Sequence, residues 1–204
     1  MKITLQNITK HFGEEFLFND ISLSFNLPSS TALLGINGSG KSTLLQIIAN
    51  YVMPTKGQII YEQNGNPVEP EAIFHLVSYC APYLELIEEM TLIEFLSYHF
   101  SFKKTQVPID EIIQIIGLEK AKHKFIEKFS SGMKQRVKLA QAIFADSPVL
   151  CLDEPCTNLD ENGIHLYHDL IEKYGRNKIL IVASNDINEY DVCEHRIKID
   201  EKLK

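Results

Sequence analysis

At 204 residues, 45% of them hydrophobic, the chain can bury a sizeable core as one large domain, or as one domain with a sub-lobe. Its net charge of −7 argues against a general nucleic-acid binder. Cys80, Cys151, Cys156 and Cys193 form no C-x-x-C pair, which fits reduced thiols in a cytosolic protein rather than a zinc site or a disulfide. The N-terminus has no signal-peptide core and no run reaches the ~18 apolar residues of a membrane helix. A soluble chain is expected, one that works on a membrane only through another chain.

Residues 3–8 (ITLQNI) alternate and predict a strand, and Phe16–Phe25 predicts a second, with an Asn19-Asp20 turn in or before it. The apolar run Thr31–Leu34 reads as a buried strand, and Ser42–Ala49 as a helix. Between them lies GINGSGKST (35–43), which fits G-x-x-x-x-G-K-[ST] through Gly35, Gly40, Lys41 and Ser42. Gly38 and Gly40 have no Cβ, so the main chain can curl around phosphates and bring its N–H groups to them. Lys41 can reach phosphate oxygens as a compact charge, Ser42 is a Mg²⁺ ligand, and the helix points its positive end at the site. The pattern predicts a nucleoside triphosphate on Asn37, Gly38, Ser39, Gly40, Lys41, Ser42 and Thr43. Phe12, in KHFGEE, fits two roles: stacking on an adenine or capping a sheet edge.

Pro54 and Gly57 mark a turn, and Gln58–Tyr61 and Leu76–Tyr79 read as strands with the hairpin signal Asn64-Gly65 between them. From about 81 to 145 the pattern is helical. TLIEFLSYHF (91–100) has helical spacing, PIDEIIQIIGL (108–118) starts at Pro108 and breaks at Gly117, and the charges of KHKFIEKF (122–129) read as a solvated face. The last third returns to alternation: strand Val149–Leu152, helix Glu161–Tyr174, strand Lys178–Ala183, short helix Asp186–Glu194 and edge strand Arg196–Ile199. The expected fold is α/β, a P-loop NTPase with a mostly parallel sheet flanked by helices and an N-terminal antiparallel β part. A helical lobe of about 81–145 is set into an α/β core of 1–80 and 146–204, all one domain.

PVLCLDEP (148–155) puts Asp153 at the carboxyl end of an apolar strand, where ligands sit in open α/β sheets and where P-loop NTPases hold Mg²⁺. Glu154 follows it and can polarise a water for attack on the γ-phosphate. In FSSGMKQRVKLAQAIF (129–144), Ser130, Ser131 and Gly132 precede an amphipathic helix. Taken alone they read as an ordinary N-cap, and the same groups can bind an anion.

Together these stretches resemble an ATP-binding cassette (ABC) ATPase, from Lys2 to about Asp200. In the family's order, Phe12 matches the adenine-stacking aromatic, GINGSGKST the Walker A loop, and SSGMKQR (130–136) the signature usually written LSGGQ-x-Q-R. VLCLDEP matches Walker B with its catalytic glutamate, Glu154, and TNLD (157–160) the D-loop. The length resembles compact exporter-type subunits. The resemblance implies a head-to-tail pair of cassettes, a homodimer by default. Each ATP is held by one chain's Walker loop and by the other's Ser130 and Gly132, while Asp160 communicates across the interface. It also implies ATP hydrolysis with Mg²⁺, a separate transmembrane permease, and a place at the inner face of the cell membrane; an ATP-gated clamp is the alternative. DNA-repair and ribosomal cassettes carry insertions, or a second cassette with a charged linker, that this chain lacks, so no nucleic acid is expected.

Three departures stand out. The signature has Phe129 for Leu, Ser131 for Gly and Met133 for Gln, with Met133 expected to face away from the phosphate. Tyr79-Cys80-Ala81-Pro82 puts Pro82 where the Q-loop glutamine belongs, leaving an extra water or a nearby side chain such as Glu85 to substitute. VASNDINE (182–189) puts Asn185 at the switch histidine's place. Asparagine can donate a hydrogen bond to the γ-phosphate but cannot become cationic or pass a proton. A slow enzyme is expected.

Overall fold

The computed structural model describes residues 1–199; residues 200–204, the end of the expected domain, lie outside them. Two sheets share the chain. Strands β1 (Lys2–Phe12), β2 (Glu15–Asn26), β4 (Lys56–Gln63) and β5 (Asn66–Pro67) form an antiparallel sheet in the order β2-β1-β4-β5. Strands β3 (Ser29–Leu34), β6 (Val77–Cys80), β7 (Val149–Asp153), β8 (Ile179–Ala183) and β9 (His195–Lys198) form a second sheet in the order β6-β7-β8-β3-β9. Every pairing within this second sheet is parallel.

The parallel strands read as unbroken apolar runs because both faces are covered. Side chains alternate across the sheet. Leu150 and Leu152 of β7 join Leu180 and Val182 of β8 in one core, while Val149, Cys151, Ile179 and Ile181 belong to the other. The second core lies under the antiparallel sheet and includes Leu44, Leu45, Ile47 and Ile48 of α1 (Lys41–Ile48). The first core is closed by helices between β6 and β7: α3 (Leu92–Phe102), α4 (Ile109–Ile115) and α5 (Ser131–Ile143). Tyr167 and Leu170 of α6 (Glu161–Leu170) complete it. A capping box at Thr91, whose side chain accepts from the Glu94 N–H, fixes the start of α3.

Four local expectations need correction. The Asn64-Gly65 turn returns the chain only to the two-residue β5; Val77–Cys80 enters the parallel sheet instead, after helix α2 (Pro70–Leu76). Pro70 at the first helical turn is the start signal for that helix. The stretch 122–129 is not simply a solvated face: Ile126 and Phe129 are buried in the first core, around a 3-10 turn at Ile126–Lys128. Last, α6 is α-helical only to Leu170 and then widens into a π-helical turn, Ile171–Gly175. The α7 turn (Ile187–Tyr190) is shorter than its predicted span.

Ile181 is fully buried in β8, which is paired on both sides. Ile181→Ala should cost about 2–5 kcal/mol of unfolding free energy and Ile181→Val about 0.5–1.5, read by urea denaturation. Lys103 is a buried cation at the end of α3 whose Nζ donates to the carbonyls of Phe74, at 2.6 Å, and Val77. Burial pushes its pKa from 10.5 down to about 8. The folded state therefore binds this proton more weakly than the unfolded chain does. The penalty is full below pH 8 and is relieved as pH rises from about 8 toward 10.5. Wild-type stability should rise across that window relative to Lys103→Met, measured by denaturation at a series of pH values.

Candidate functional site

The phosphate loop turns from β3 into α1. Gly38 (φ 80°) and Gly40 (φ 98°) both take left-handed backbone, which only glycine adopts without strain. A Cβ on Gly40 would also lie 2.8 Å from Leu17 Cγ. Gly40 is the N-cap of α1 and no side chain caps it, so the first-turn N–H groups face the loop without a side-chain partner. Lys41 is 7% exposed, and its Nζ donates to the carbonyls of Gly35 (2.7 Å) and Ile36 (3.2 Å). Burial lowers its pKa, against the opposing pull of Glu154 and Asp153.

Three strand ends meet here. Asp153, 2% exposed, closes β7 and accepts a hydrogen bond from Ser42 Oγ at 3.0 Å. Burial raises its pKa, and the Ser42 bond opposes that rise. Glu154 follows with φ 42°, a left-handed conformation that costs a non-glycine residue about 1 kcal/mol or more. It lines a cleft of about 230 Å³ with Leu17, Asn37, Gly38, Gly40, Lys41, Ser42 and Thr43. Asn185, just past β8, accepts from the Gly35 N–H (3.4 Å) and donates to Asn37 Oδ1 (3.1 Å). Ser39 Oγ is buried in the loop with no hydrogen-bond partner.

These features fit a bound phosphate and its Mg²⁺. An uncapped helix N-terminus, an orphaned buried hydroxyl and a buried lysine can take up an anion, and a serine–carboxylate pair supplies hard oxygen ligands. Phe12 is 58% exposed at the end of β1, with Lys10 Nζ 4.7 Å from its ring centroid; the residue of the antiparallel sheet that borders the phosphate-loop cleft is Leu17.

The signature residues lie elsewhere. Ser130 is the N-cap of α5 and accepts from the Met133 N–H at 3.3 Å. A Cβ on Gly132 would come 3.1 Å from the Asn158 carbonyl, so this helix end is pressed against the D-loop. Asp160 is the N-cap of α6, accepting from the Gly163 N–H at 2.8 Å and from Arg136 at 3.4 Å. Ser130, Gly132, Arg136, Asn158 and Asp160 line a cleft of about 710 Å³ that shares no residue with the phosphate-loop cleft. Met133 borders this cleft too, and it also packs against the first core.

Two residues escaped the sequence reading. Glu189 is buried; its carboxylate accepts from the Cys156 N–H (2.6 Å) and from Ser184 Oγ, tying the segment before Asn185 to the start of the D-loop. Its place on the α7 turn, four residues past Asn185, was the available signal. The other is Tyr83. Glu85 lines a different groove, with Tyr51, Phe74 and Tyr98. Tyr83 accepts from Gln46 Nε2 at 2.7 Å and its hydroxyl contacts that of Tyr79. Tyr79 lies in a strand and Gln46 on α1, so no local pattern in the sequence marks it.

Comparison with known proteins agrees with this geometry. The model of the family described as ABC transporter matches residues 18–157, more than half of the chain. Three curated relatives are similar over most of it. The uncharacterized ABC transporter ATP-binding protein YhcH of Bacillus subtilis is 30% identical, over 99% of this chain and 68% of its own length. YybJ of the same organism, of the same description, is 31% identical over 90% of this chain and 85% of its own. The cytochrome c biogenesis ATP-binding export protein CcmA of Agrobacterium fabrum is 32% identical over 91% and 89%. Among solved structures, the dimeric cassette MJ0796 superposes with a TM-score of 0.83 at 23% identity, covering 97% of this chain and 94% of that one. Its post-hydrolysis form, bound to ADP and Pi, gives 0.81 at 23% identity, covering 96% and 93%. With the family model spanning both nucleotide motifs and the fold shared over nearly all of the described residues, the chain belongs to the ABC transporter family, as an ABC ATPase cassette.

Proposed function

We propose that this chain, one cassette of 1–204 with its core at 1–80 and 146–204 and its lobe at about 81–145, hydrolyses ATP as the motor subunit of a membrane transporter. The observation that carries this reading is the separation of the two clefts. Lys41, Ser42 and Glu154 border one, with Asp153 bonded to Ser42 beneath it, and Ser130, Gly132 and Asp160 border the other. Each is half of a nucleotide site, and a second copy turned head to tail completes both.

In the closed pair, the loop N–H groups and Lys41 hold the phosphates of one ATP, and the partner copy's signature helix faces its γ-phosphate. Mg²⁺ on Ser42 and Asp153 supplies neutralisation of the phosphate charge. Glu154 orients a water and takes its proton as the water oxygen attacks the γ-phosphorus. The bond to the bridging oxygen breaks, leaving ADP and phosphate. Asn185 supplies a hydrogen bond but no cation, so the step is slow. Closing and reopening move the helical lobe.

The membrane partner is read from the groove between the lobe and the core. Tyr51, Phe74, Ile87, Tyr98 and Phe102 are exposed around about 460 Å³. No helix among the described residues is long and apolar enough to cross a membrane, so movement of cargo falls to a separate permease seated on this groove. The cassette then sits at the cytoplasmic face through that partner. The engagement of Asn185 by Asn37 and Gly35 favours a second reading, an ATP-gated clamp with little turnover.

Purified chain at high concentration should release phosphate from ATP only with Mg²⁺, and EDTA should abolish the release. Glu154→Gln should lower kcat by ~10²–10⁴-fold while ATP binding persists and an ATP-dependent dimer accumulates, seen by light scattering. Binding without any Glu154-dependent turnover would select the clamp. Asn185→His should raise kcat by about 10²-fold in the same phosphate-release assay; an unchanged rate would remove Asn185 as the limiting group.

A further inference from the structure

The peptide unit between Pro155 and Cys156 is gripped at both ends. Its carbonyl accepts from Gln135 Nε2 of α5 at 2.7 Å, and its N–H donates to Glu189 Oε1 at 2.6 Å. The other carboxylate oxygen, Oε2, accepts from Ser184 Oγ. The donors are fixed by chemistry. A backbone N–H can only give its proton, and Ser184 Oγ accepts from the Asp186 N–H at 2.9 Å while giving its own proton to Glu189. The turn that carries Glu189 is pinned as well, since the Tyr167 hydroxyl donates to the Glu189 carbonyl at 2.7 Å. Gln135, Ser184, Glu189 and Tyr167 are all buried.

One carboxylate therefore joins two segments of the site. Cys156 lies two residues past Glu154, and Ser184 is the neighbour of Asn185. Glu154 holds its left-handed φ of 42° between two backbone bonds: its N–H donates to the Ala183 carbonyl at 3.0 Å, and its carbonyl accepts from the Thr157 N–H at 3.2 Å. Strained backbone persists only where its surroundings over-determine it. The grip on the Pro155–Cys156 peptide adds that restraint immediately after the strained residue. Taking a carboxylate out of water is unfavourable unless hydrogen bonds compensate it. An apolar side chain at 189 would avoid this, but would leave the Cys156 N–H and the Ser184 hydroxyl without their partner.

We propose that Glu189 is a positioning residue for hydrolysis, its carboxylate holding Glu154 and Asn185 in one fixed geometry through Cys156 and Ser184. Glu189 borders neither the phosphate-loop cleft nor the signature cleft, so it acts through those neighbours. The inference rests on Glu154 orienting the attacking water and Asn185 facing the γ-phosphate. A displacement of ~1 Å at a reacting group can cost ~10²-fold in rate. The bridge acts on that geometry and leaves the phosphate loop, and with it nucleotide affinity, alone.

The test is phosphate release by the full chain in excess Mg²⁺, with kcat expressed per nucleotide site counted by calorimetry with ADP. Glu189→Ala should lower kcat by ~10²-fold with KM and ADP affinity unchanged. Glu189→Gln keeps an oxygen for the Cys156 N–H and a polar group for Ser184, and should retain most of kcat. Ser184→Ala removes one arm of the bridge and keeps the other, so it serves even if Glu189→Ala does not fold. It should lower kcat about tenfold, the worth of one hydrogen bond to a charged group. An unchanged kcat in Glu189→Ala, or in Ser184→Ala where the first variant yields no sites, overturns the proposal. So does a loss that appears in site count or ADP affinity rather than in kcat, which would make Glu189 a brace of the fold only. Glu154→Gln separates the premise from the inference. If it leaves the rate unchanged, the hydrolytic reading itself fails; if it collapses the rate and Glu189→Ala does not, only the role of Glu189 fails.

Discussion

The site depends on one row of parallel pairing. Ala183 of β8 sits opposite Leu33 of β3 on one side and Asp153 of β7 on the other. Three strand ends therefore leave the sheet at one level. The phosphate loop, the Asp153-Glu154 pair and Asn185 all extend from that row, and the Ser42–Asp153 hydrogen bond closes it. Shifting β7 by one residue would turn Asp153 to the other face of the sheet, because side chains alternate with a period of two. The two apolar cores on either face fix this register more firmly than any contact within the polar site does.

The signature cleft is built differently. Ser130 and Asp160 are each the N-cap of a helix, so the residues proposed to face a partner's ATP also terminate secondary structure in their own chain. Gln135 adds a buried bond from α5 to the Pro155 carbonyl, at 2.7 Å, and Glu189 adds another from the segment before Asn185. These ties meet at Pro155 and Cys156, just before the D-loop. They give a physical route by which contacts at Asn185 and contacts at the signature helix act on one stretch of backbone, and they involve buried polar groups whose partners are hard to replace.

The departures from the family pattern fall in different parts of this frame. Ser131 and Met133 line the signature cleft, while Asn185 stands at the phosphate loop. Asn185 lies within hydrogen-bond distance of Asn37, which keeps it at the loop as a neutral donor. Neither Pro82 nor Asn185 belongs to the buried cores.

The sequence alone determined the phosphate loop, the buried strands and most of the helices. Glycine placement, unbroken apolar runs and helix caps are local signals, read within a few residues of where they act. It also determined Ser42, Asp153 and Glu154 as candidates, because each stands at a strand or helix end that those signals locate. It misread Asn64-Gly65, because a turn signal states that the chain reverses and not which strand follows; the destination of Val77–Cys80 is set by burial between two cores. It read 122–129 as solvated because charged residues are interspersed along the whole stretch, and only packing shows that Ile126 and Phe129 turn inward. In place of the glutamine it offered an extra water or a side chain such as Glu85, and Glu85 lines a different groove. The clamp on Tyr83 belongs to tertiary structure alone, since the residues that hold it come from a helix and a strand far apart in the chain and meet only when α1 packs against the sheet.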